Sequence, residues 1–217
     1  MIDLCTTVYP IRQSERLAEI RECFDRNSSN EYVDRIFVLA EHVEIGSSGY
    51  TFLDHPKAVV VPIDRRPVYR DFFDLAREEC IGHAVAIANS DIYFDETLAL
   101  AERVQPGELW CLTRYNVQEG GDISLEAASG KAGSSADAWI FRSPLKPFAG
   151  DDTMLGVNGC DNYIAYKAYR AGIDLRNPCL SLIVRHLHRS AERNCAPDGF
   201  TYDKLPDFMC GHVNPTR

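Results

Sequence analysis

An apolar segment that ends in closely spaced polar residues carries the strongest chemical signal in this sequence. The run 85–88 is followed directly by Asn89, Ser90 and Asp91. Such a run predicts a buried strand, which delivers the polar residues to the carboxyl edge of a sheet, where open α/β folds bind ligands. Carboxylate oxygens there can hold Mg²⁺ or Mn²⁺ and, through the ion, a diphosphate. The alternative is an ordinary Asn/Asp turn after a strand.

A glycine-containing turn at residues 156–162 places Asp161 at the start of a predicted helix. The helix dipole favours the ionised carboxylate there, and an ionised, positioned carboxylate can act as a general base on an alcohol. The alternative is that Asp161 only caps the helix.

Two histidines, His186 and His188, end another apolar run. Alternation along a strand puts both imidazoles on one face, where they can approach one ion or one phosphate. The nearby Arg189 and Arg193 could neutralise a diphosphate. The alternative is a pair of structural histidines.

Two further segments give weaker indications. Arg65 and Arg66 form a basic turn between a predicted strand and helix, which suits phosphate binding. Asp137 and Trp139 follow a flexible segment, and carbohydrate pockets often combine a carboxylate with an indole ring. The alternative for this pair is a buried tryptophan beside a turn aspartate.

Predicted strands and helices alternate along the chain and must position these side chains. The strands are predicted at 2–8, 35–40, 58–62, 84–88, 109–112, 138–141 and 180–187, and the helices at 13–26, 69–80, 95–104 and 162–171. Residues 117–136 are rich in Gly, Ser and acidic residues and are predicted to form a loop or mobile flap. The β-α-β-β-α-β order of the first half predicts a largely parallel sheet with helices on its faces.

Composition restricts the class of protein. The chain has 217 residues, 45% of them hydrophobic, which predicts a single domain over 1–217 with an irregular tail from about residue 194. A formal charge of -9 argues against broad binding of nucleic acid. No apolar run could span a bilayer and no signal peptide is visible, so we expect a soluble, cytoplasmic protein. The eight cysteines form no C-x-x-C pair, which predicts reduced thiols and no structural zinc.

In order and spacing, these segments resemble the GT-A glycosyltransferases over nearly the whole chain. Asn89-Ser90-Asp91 stands where that family has Asp-x-Asp, and a Gly-x-x-Gly-x-Asp turn ends at Asp161. The opening strand and the late histidines occupy similar places. The chain departs from the family pattern at Asn89, because an amide binds a hard cation less strongly than a carboxylate does.

The resemblance implies an α/β fold, a Rossmann-type α/β/α sandwich with a mostly parallel central sheet. It also implies a metal-dependent glycosyltransferase of the hexosyltransferase type, which moves a sugar from a nucleotide-diphosphate sugar, such as a UDP-sugar, to a hydroxyl of a glycan or lipid-linked acceptor. Polysaccharide biosynthesis and peripheral membrane association through the acceptor fit that class. Inversion at the anomeric carbon follows if Asp161 is the base.

The resemblance also implies roles for individual residues. Asp91 with His186 or His188 would bind Mn²⁺ or Mg²⁺. Asp137 and Trp139 would face the donor sugar or the acceptor, and residues 130–135 could close over the donor as a lid. The nucleotide sugar would be bound by Thr6, Thr7, Glu41, Arg66, Asn89, Ser90 and Asp91.

Two other functions remain open on the sequence. A sugar nucleotidyltransferase would share the sheet and the metal, but it normally has a basic, glycine-rich loop near the N-terminus, and residues 6–13 contain no glycine. A noncatalytic nucleotide-sugar-binding module is compatible with the departure at Asn89.

Overall fold

A computed structural model of the chain describes residues 2–44, 46–126, 135–190, 200–202 and 213–216. Its centre is a seven-stranded sheet in the order β10-β6-β9-β4-β1-β2-β3. The pairings of neighbouring strands show that six strands run in one direction and that β9 alone opposes them. These strands are β1 (Ile2–Val8), β2 (Val33–Glu41), β3 (Ala58–Ile63), β4 (Ala84–Ala88), β6 (Glu108–Leu112), β9 (Ala138–Arg142) and β10 (Asp174–Arg176).

Helices cover both faces of this sheet. On one face, α1 (Ser14–Ser29) and a 3₁₀ helix (Glu96–Arg103) bury their apolar sides in a common core. On the other face, α2 (Tyr69–Glu79) and α3 (Cys160–Arg170) form a second core. Every residue of β4 is buried, as expected for a central strand with apolar side chains on both faces. The predicted α/β sandwich with a mostly parallel sheet is therefore confirmed.

A second, four-stranded sheet has the order β5-β11-β7-β8. Its strands are β5 (Ile92–Phe94), β7 (Tyr115–Val117), β8 (Ile123–Leu125) and β11 (Val184–His186). Both β5 and β7 follow central strands after a few residues, so this sheet lies where those strands end. It brings the segment after β4 next to the predicted histidines, because β5 pairs antiparallel with β11.

Several predicted elements differ from the structure. The range 95–104 is a 3₁₀ helix rather than an α-helix, and Asp95 caps it by accepting a hydrogen bond from the Thr97 amide at 3.0 Å. Within 180–187 only Val184–His186 is strand, since a turn precedes it in which the Leu182 amide donates to Pro178. The predicted loop 117–136 contains strand β8 of a hairpin, and its residues 127–134 lie outside the described residues.

The described parts of the C-terminal tail pack against the body of the protein. The Tyr202 hydroxyl accepts a hydrogen bond from the Met154 amide at 2.6 Å, and its ring stacks on Tyr163. The Thr216 amide donates to the Asn177 carbonyl at 2.7 Å. Of the predicted irregular tail from about residue 194, residues 194–199, 203–212 and 217 lie outside the described residues.

Six cysteines are free and buried within the part of the chain that the structure describes. In that same part, no helix is long and apolar enough to cross a membrane.

A buried asparagine joins α1 to the second sheet, which makes it a test of this architecture. The Asn27 side chain donates to the Ile92 carbonyl at 2.9 Å and accepts from the Phe94 amide at 3.0 Å. We expect Asn27→Ala to lower the free energy of unfolding by about 2 kcal/mol, because two buried backbone groups lose their partner. Urea denaturation measures this, with the exposed Asp25→Ala on the same helix as control. An Asn27→Ala variant as stable as the control would contradict the role of this link.

Candidate active site

Asp91 is the centre of a buried cluster at the carboxyl edge of the sheet. The turn from β4 to β5 places it opposite β11, where its carbonyl accepts a hydrogen bond from the Leu187 amide at 2.9 Å. Its carboxylate oxygen Oδ2 lies 3.1 Å from His186 Nε2 and 3.0 Å from His188 Nδ1. The structure thus brings together the aspartate and the two histidines that the sequence singled out.

The orientation of His186 is fixed from behind by Asn116. Asn116 donates through Nδ2 to the Glu126 carboxylate, and its Oδ1 accepts from Arg114 Nε at 3.1 Å. Oδ1 is also 3.1 Å from His186 Nδ1, so that nitrogen donates a proton to it. This contact leaves Nε2 directed at Asp91, so Nε2 is the His186 atom that could bind a metal ion.

These three side chains fit a divalent cation. Each offers one ligand atom, and the three atoms lie within 4.8 Å of one another. A carboxylate with two imidazoles is a donor set that suits a transition metal ion such as Mn²⁺ better than Mg²⁺, which prefers oxygen ligands.

Arg16 is a member of this cluster that the sequence analysis missed. Its Nη2 lies 2.8 Å from the same Oδ2 of Asp91, and its Nε donates to the Tyr9 hydroxyl at 3.2 Å. Arg16 lies in the first turns of α1, where a charged residue is normally taken for the solvent face, yet it is only 4% exposed. Nothing in the sequence pattern marks it as buried.

The cluster keeps Asp91 ionised. Burial by itself would raise the pKa of Asp91, but His186, His188 and Arg16 outweigh burial and hold that pKa well below its usual value.

Asp161 lies in the first turn of α3 in a different environment. Gly159, with a φ of 80°, is the N-cap residue, so Asp161 does not occupy the N-cap position, although its carboxylate also interacts with backbone amides of the first turn. Its Oδ2 accepts a hydrogen bond from the Ala136 amide at 3.0 Å, which ties α3 to the start of β9. Burial and the charge of Asp137 raise the pKa of Asp161 from 3.8 to about 6, against the lowering effect of backbone amides.

Asp137, the residue before β9, is also buried at this edge. Its Oδ1 accepts from Arg114 Nη1 at 2.7 Å and from Asn89 Nδ2 at 3.3 Å. Its Oδ2 is buried without a hydrogen-bond partner among the described residues. Asn89 therefore faces Asp137, whereas Asp91 faces the histidines.

Arg114 connects the two parts of the edge and was also missed. It contacts Asn116, which orients His186, and it pairs with Asp137, whose charge acts on Asp161. Arg114 follows the last residue of β6 by two positions. The rule that singled out Asp91, a polar residue just after a buried strand, would have found it.

The residues predicted to bind the nucleotide lie at or near the same edge, and their side chains differ in the contacts that they make. The Thr7 hydroxyl donates to the Leu39 carbonyl at 2.9 Å, which gives it a structural partner. Thr6 and Ser90 line one small cavity beneath the edge. Glu41 ends β2, and Arg66 lies in the turn after β3.

Trp139 corrects a sequence expectation. Its side chain extends from β9 into the core that contains α2 and is fully buried there. The ring packs edge-on against Tyr69, with centroids 4.8 Å apart. A ring in this position offers no surface on which a sugar could stack, which agrees with the alternative of a buried tryptophan beside a turn aspartate. Of the predicted lid 130–135, residues 130–134 lie outside the described residues.

Comparison with solved structures identifies the architecture. The mannosyltransferase PcManGT from Pyrobaculum calidifontis, in complex with GDP-Man and Mn²⁺, matches with a TM-score of 0.56 and 15% identity over 88% of this chain. The chain has a GT-A-like fold. It spans 58% of the length of that mannosyltransferase chain. No family model matches the sequence, and no curated protein matches it.

Two other structures match this GT-A-like chain less closely. One is the galactosyltransferase LgtC, in complex with donor and acceptor sugar analogs, with a TM-score of 0.39, 10% identity and coverage of 65% of this chain and 58% of that one. The other is a putative glucose-1-phosphate thymidylyltransferase from Bacillus anthracis, with a TM-score of 0.45, 10% identity and coverage of 85% and 89%. Both TM-scores are too low to establish a shared fold by themselves.

The raised pKa of Asp161 predicts a pH-dependent effect on stability. A carboxyl whose folded pKa is about 6, against 3.8 normally, favours folding while protonated and loses that contribution as pH rises through about 6. We therefore expect Asp161→Asn to raise the melting temperature relative to wild type more at pH 8 than at pH 4. Thermal unfolding at both pH values measures this. The exposed Asp54→Asn is the control, and equal shifts for Asp161→Asn at both pH values would contradict the raised pKa.

Proposed function

We propose that this chain is an inverting, metal-dependent glycosyltransferase that uses a nucleotide-diphosphate sugar. The observation that supports this most is a pair of carboxylates with opposite environments in one polar network. Asp91 is held ionised by its cationic neighbours, whereas the pKa of Asp161 is raised to about 6. Carboxylates tuned apart in this way suit separate roles, one in binding charge and the other in moving a proton.

Asp91 with His186 and His188 would hold the metal ion, and the donor set favours Mn²⁺ over Mg²⁺. Bound there, the ion would supply charge stabilisation to the diphosphate as it leaves. The role of this chain in that step is to keep Asp91 ionised and to orient His186 through Asn116.

Asp161 would act as the general base. Its carboxylate removes the proton from an acceptor hydroxyl while that oxygen bonds to the anomeric carbon and the bond to the diphosphate breaks. Attack from the face opposite the leaving group inverts the anomeric centre. A base with a pKa near 6 is mostly ionised at neutral pH and still basic enough to accept the proton.

The nucleotide would occupy the carboxyl ends of β1, β2 and β3. An open depression of about 440 Å³ lies at the ends of β2 and β3, lined in part by His42, Asp64 and Arg65. Thr6, Ser90, Glu41 and Arg66 lie around these strand ends, and Thr7 would support them through its bond to Leu39. Asp137 would face the donor sugar, because its buried Oδ2 is free to accept a hydrogen bond from a sugar hydroxyl.

The solved neighbour supplies the first ligands to test, since PcManGT is complexed with GDP-Man and Mn²⁺. UDP- and dTDP-sugars belong to the same screen. A glycan or lipid-linked hydroxyl is the proposed acceptor, and a lipid-linked acceptor would bring the chain to a membrane surface. Release of pyrophosphate from a nucleoside triphosphate and a sugar 1-phosphate would favour the nucleotidyltransferase alternative. Donor binding without hydrolysis or transfer would favour a noncatalytic module.

The proposed base is tested by Asp161→Asn, which preserves shape and removes the proton acceptor. We expect the turnover number for sugar transfer to fall by about 10²- to 10⁴-fold, while the dissociation constant of the donor stays close to that of wild type. In the wild type, the transfer rate should rise with pH through about 6 and then level off, because the base must be unprotonated. Unchanged turnover in Asp161→Asn would refute the assignment.

The proposed metal centre is tested by Asp91→Ala. Calorimetric titration of GDP-mannose and UDP-sugars, with and without Mn²⁺, should show donor binding that the ion strengthens in the wild type and that loses this response in the variant. Asp25→Ala, which removes an exposed carboxylate of α1, is the control for charge. A normal metal response in Asp91→Ala would make Asp91 a structural residue only.

A further inference from the structure

Arg16 is a buried cation at the proposed metal centre with no part in the proposed reaction. Its Nη2 lies 2.8 Å from Asp91 Oδ2, the oxygen that also faces both histidines. A guanidinium cannot lose its proton in a protein, so its charge is permanent. A divalent ion on the same oxygen would lie close to that charge, and the two cations would repel each other strongly in a buried site.

A second carboxylate offers Arg16 an alternative position. Arg16 Nη1 lies 3.1 Å from Glu19 Oε2, and Glu19 is three residues further along the same face of α1. Both side chains are less than a tenth exposed. The guanidinium therefore lies between two carboxylates and donates to both of them.

Glu19 is held in place independently of Arg16. Its Oε1 accepts from the amides of Arg189 and Ser190 at 2.7 Å each, and its Oε2 accepts from the Ser190 hydroxyl at 2.8 Å. These donors belong to the residues directly after His188, one of the proposed ligands. Glu19 is thus a fixed acceptor, and the same carboxylate secures the chain beside the metal centre.

We propose that Arg16 is an internal counter-ion that sets the metal affinity of the centre. It neutralises Asp91 while no divalent ion is bound, and it moves its hydrogen bonds towards Glu19 when an ion takes the Asp91 oxygen. This inference rests on the proposed metal-dependent function and adds the residue that regulates metal loading. Arg16 is a positioning residue in this scheme, since it touches neither the donor nor the acceptor.

Two substitutions with opposite expected effects test this proposal. In Arg16→Gln the competing charge is gone, so the affinity for Mn²⁺ should rise by about tenfold or more. In Glu19→Gln the second carboxylate is gone but the amide oxygen still accepts from residues 189 and 190. Arg16 is then committed to Asp91, and the affinity for Mn²⁺ should fall by about threefold or more. Calorimetric titration of the intact chain with Mn²⁺ alone measures both.

Arg21→Gln is the matched control, because it removes an exposed arginine of the same helix and should leave the affinity unchanged. Circular dichroism establishes that each variant is folded. If Arg16→Gln does not fold, Glu19→Gln decides, and an affinity equal to or above that of wild type overturns the proposal.

The outcomes also separate this proposal from the proposed function. Mn²⁺ binding in the wild type with no increase in folded Arg16→Gln overturns the counter-ion role and leaves the glycosyltransferase intact. Binding only in Arg16→Gln supports the counter-ion role and contradicts metal dependence of the wild type. No binding in either protein overturns the counter-ion role, while the donor titrations still test the proposed function.

Discussion

The arrangement of the site depends on one buried carboxylate, that of Asp91. An ionised carboxylate is stable away from water only if cationic or hydrogen-bonding partners surround it. Arg16 and the two histidines supply those partners, and they come from α1 and from the end of β11. The need to satisfy this one charge therefore fixes where the second sheet and the first helix meet the central sheet.

Asp161 has the opposite electrostatic environment. It shares its surroundings with the like charge of Asp137, and Arg114 pairs with Asp137 rather than with Asp161. The protein thus leaves one carboxylate undercompensated at a place where structural considerations alone would favour a neutral side chain. Such local conflict is expected at sites selected for chemistry, because the most stable arrangement and the reactive one differ.

The sequence predicted the central sheet well because each core strand is an apolar run bounded by turns, as in β1, β2 and β4. It predicted the meeting of Asp91, His186 and His188 because strand ends and alternation are local rules. It failed where tertiary contacts decide. The burial of Arg16 depends on Asp91, which lies 75 residues away. The short strands β5, β7 and β10 were missed because three residues carry too little periodicity to be distinguished from a turn.

Trp139 shows the same limit in another form. An aromatic residue two positions after a carboxylate is compatible with a sugar platform and with a core position, and only the pairing of β9 between β4 and β6 decides between them. On a strand that is central and covered on both faces, alternate residues enter the two cores. Asp137 precedes the strand, and its buried carboxylate contacts Asn89 and Arg114 instead of entering either apolar core.

Because β9 runs opposite to its neighbours, mutations at its two ends should be tolerated differently. In a parallel sheet, the reactive edge collects residues that follow strands, but β9 brings residues that precede it. Its first end supplies Asp137, whereas its last end supplies Arg142, which donates to the backbone carbonyls of Gly82, Glu102 and Val104. The proposed ligand-facing role of Asp137 and the architectural role of Arg142 are therefore separated by the length of one strand, so each end can diverge in evolution under its own constraint.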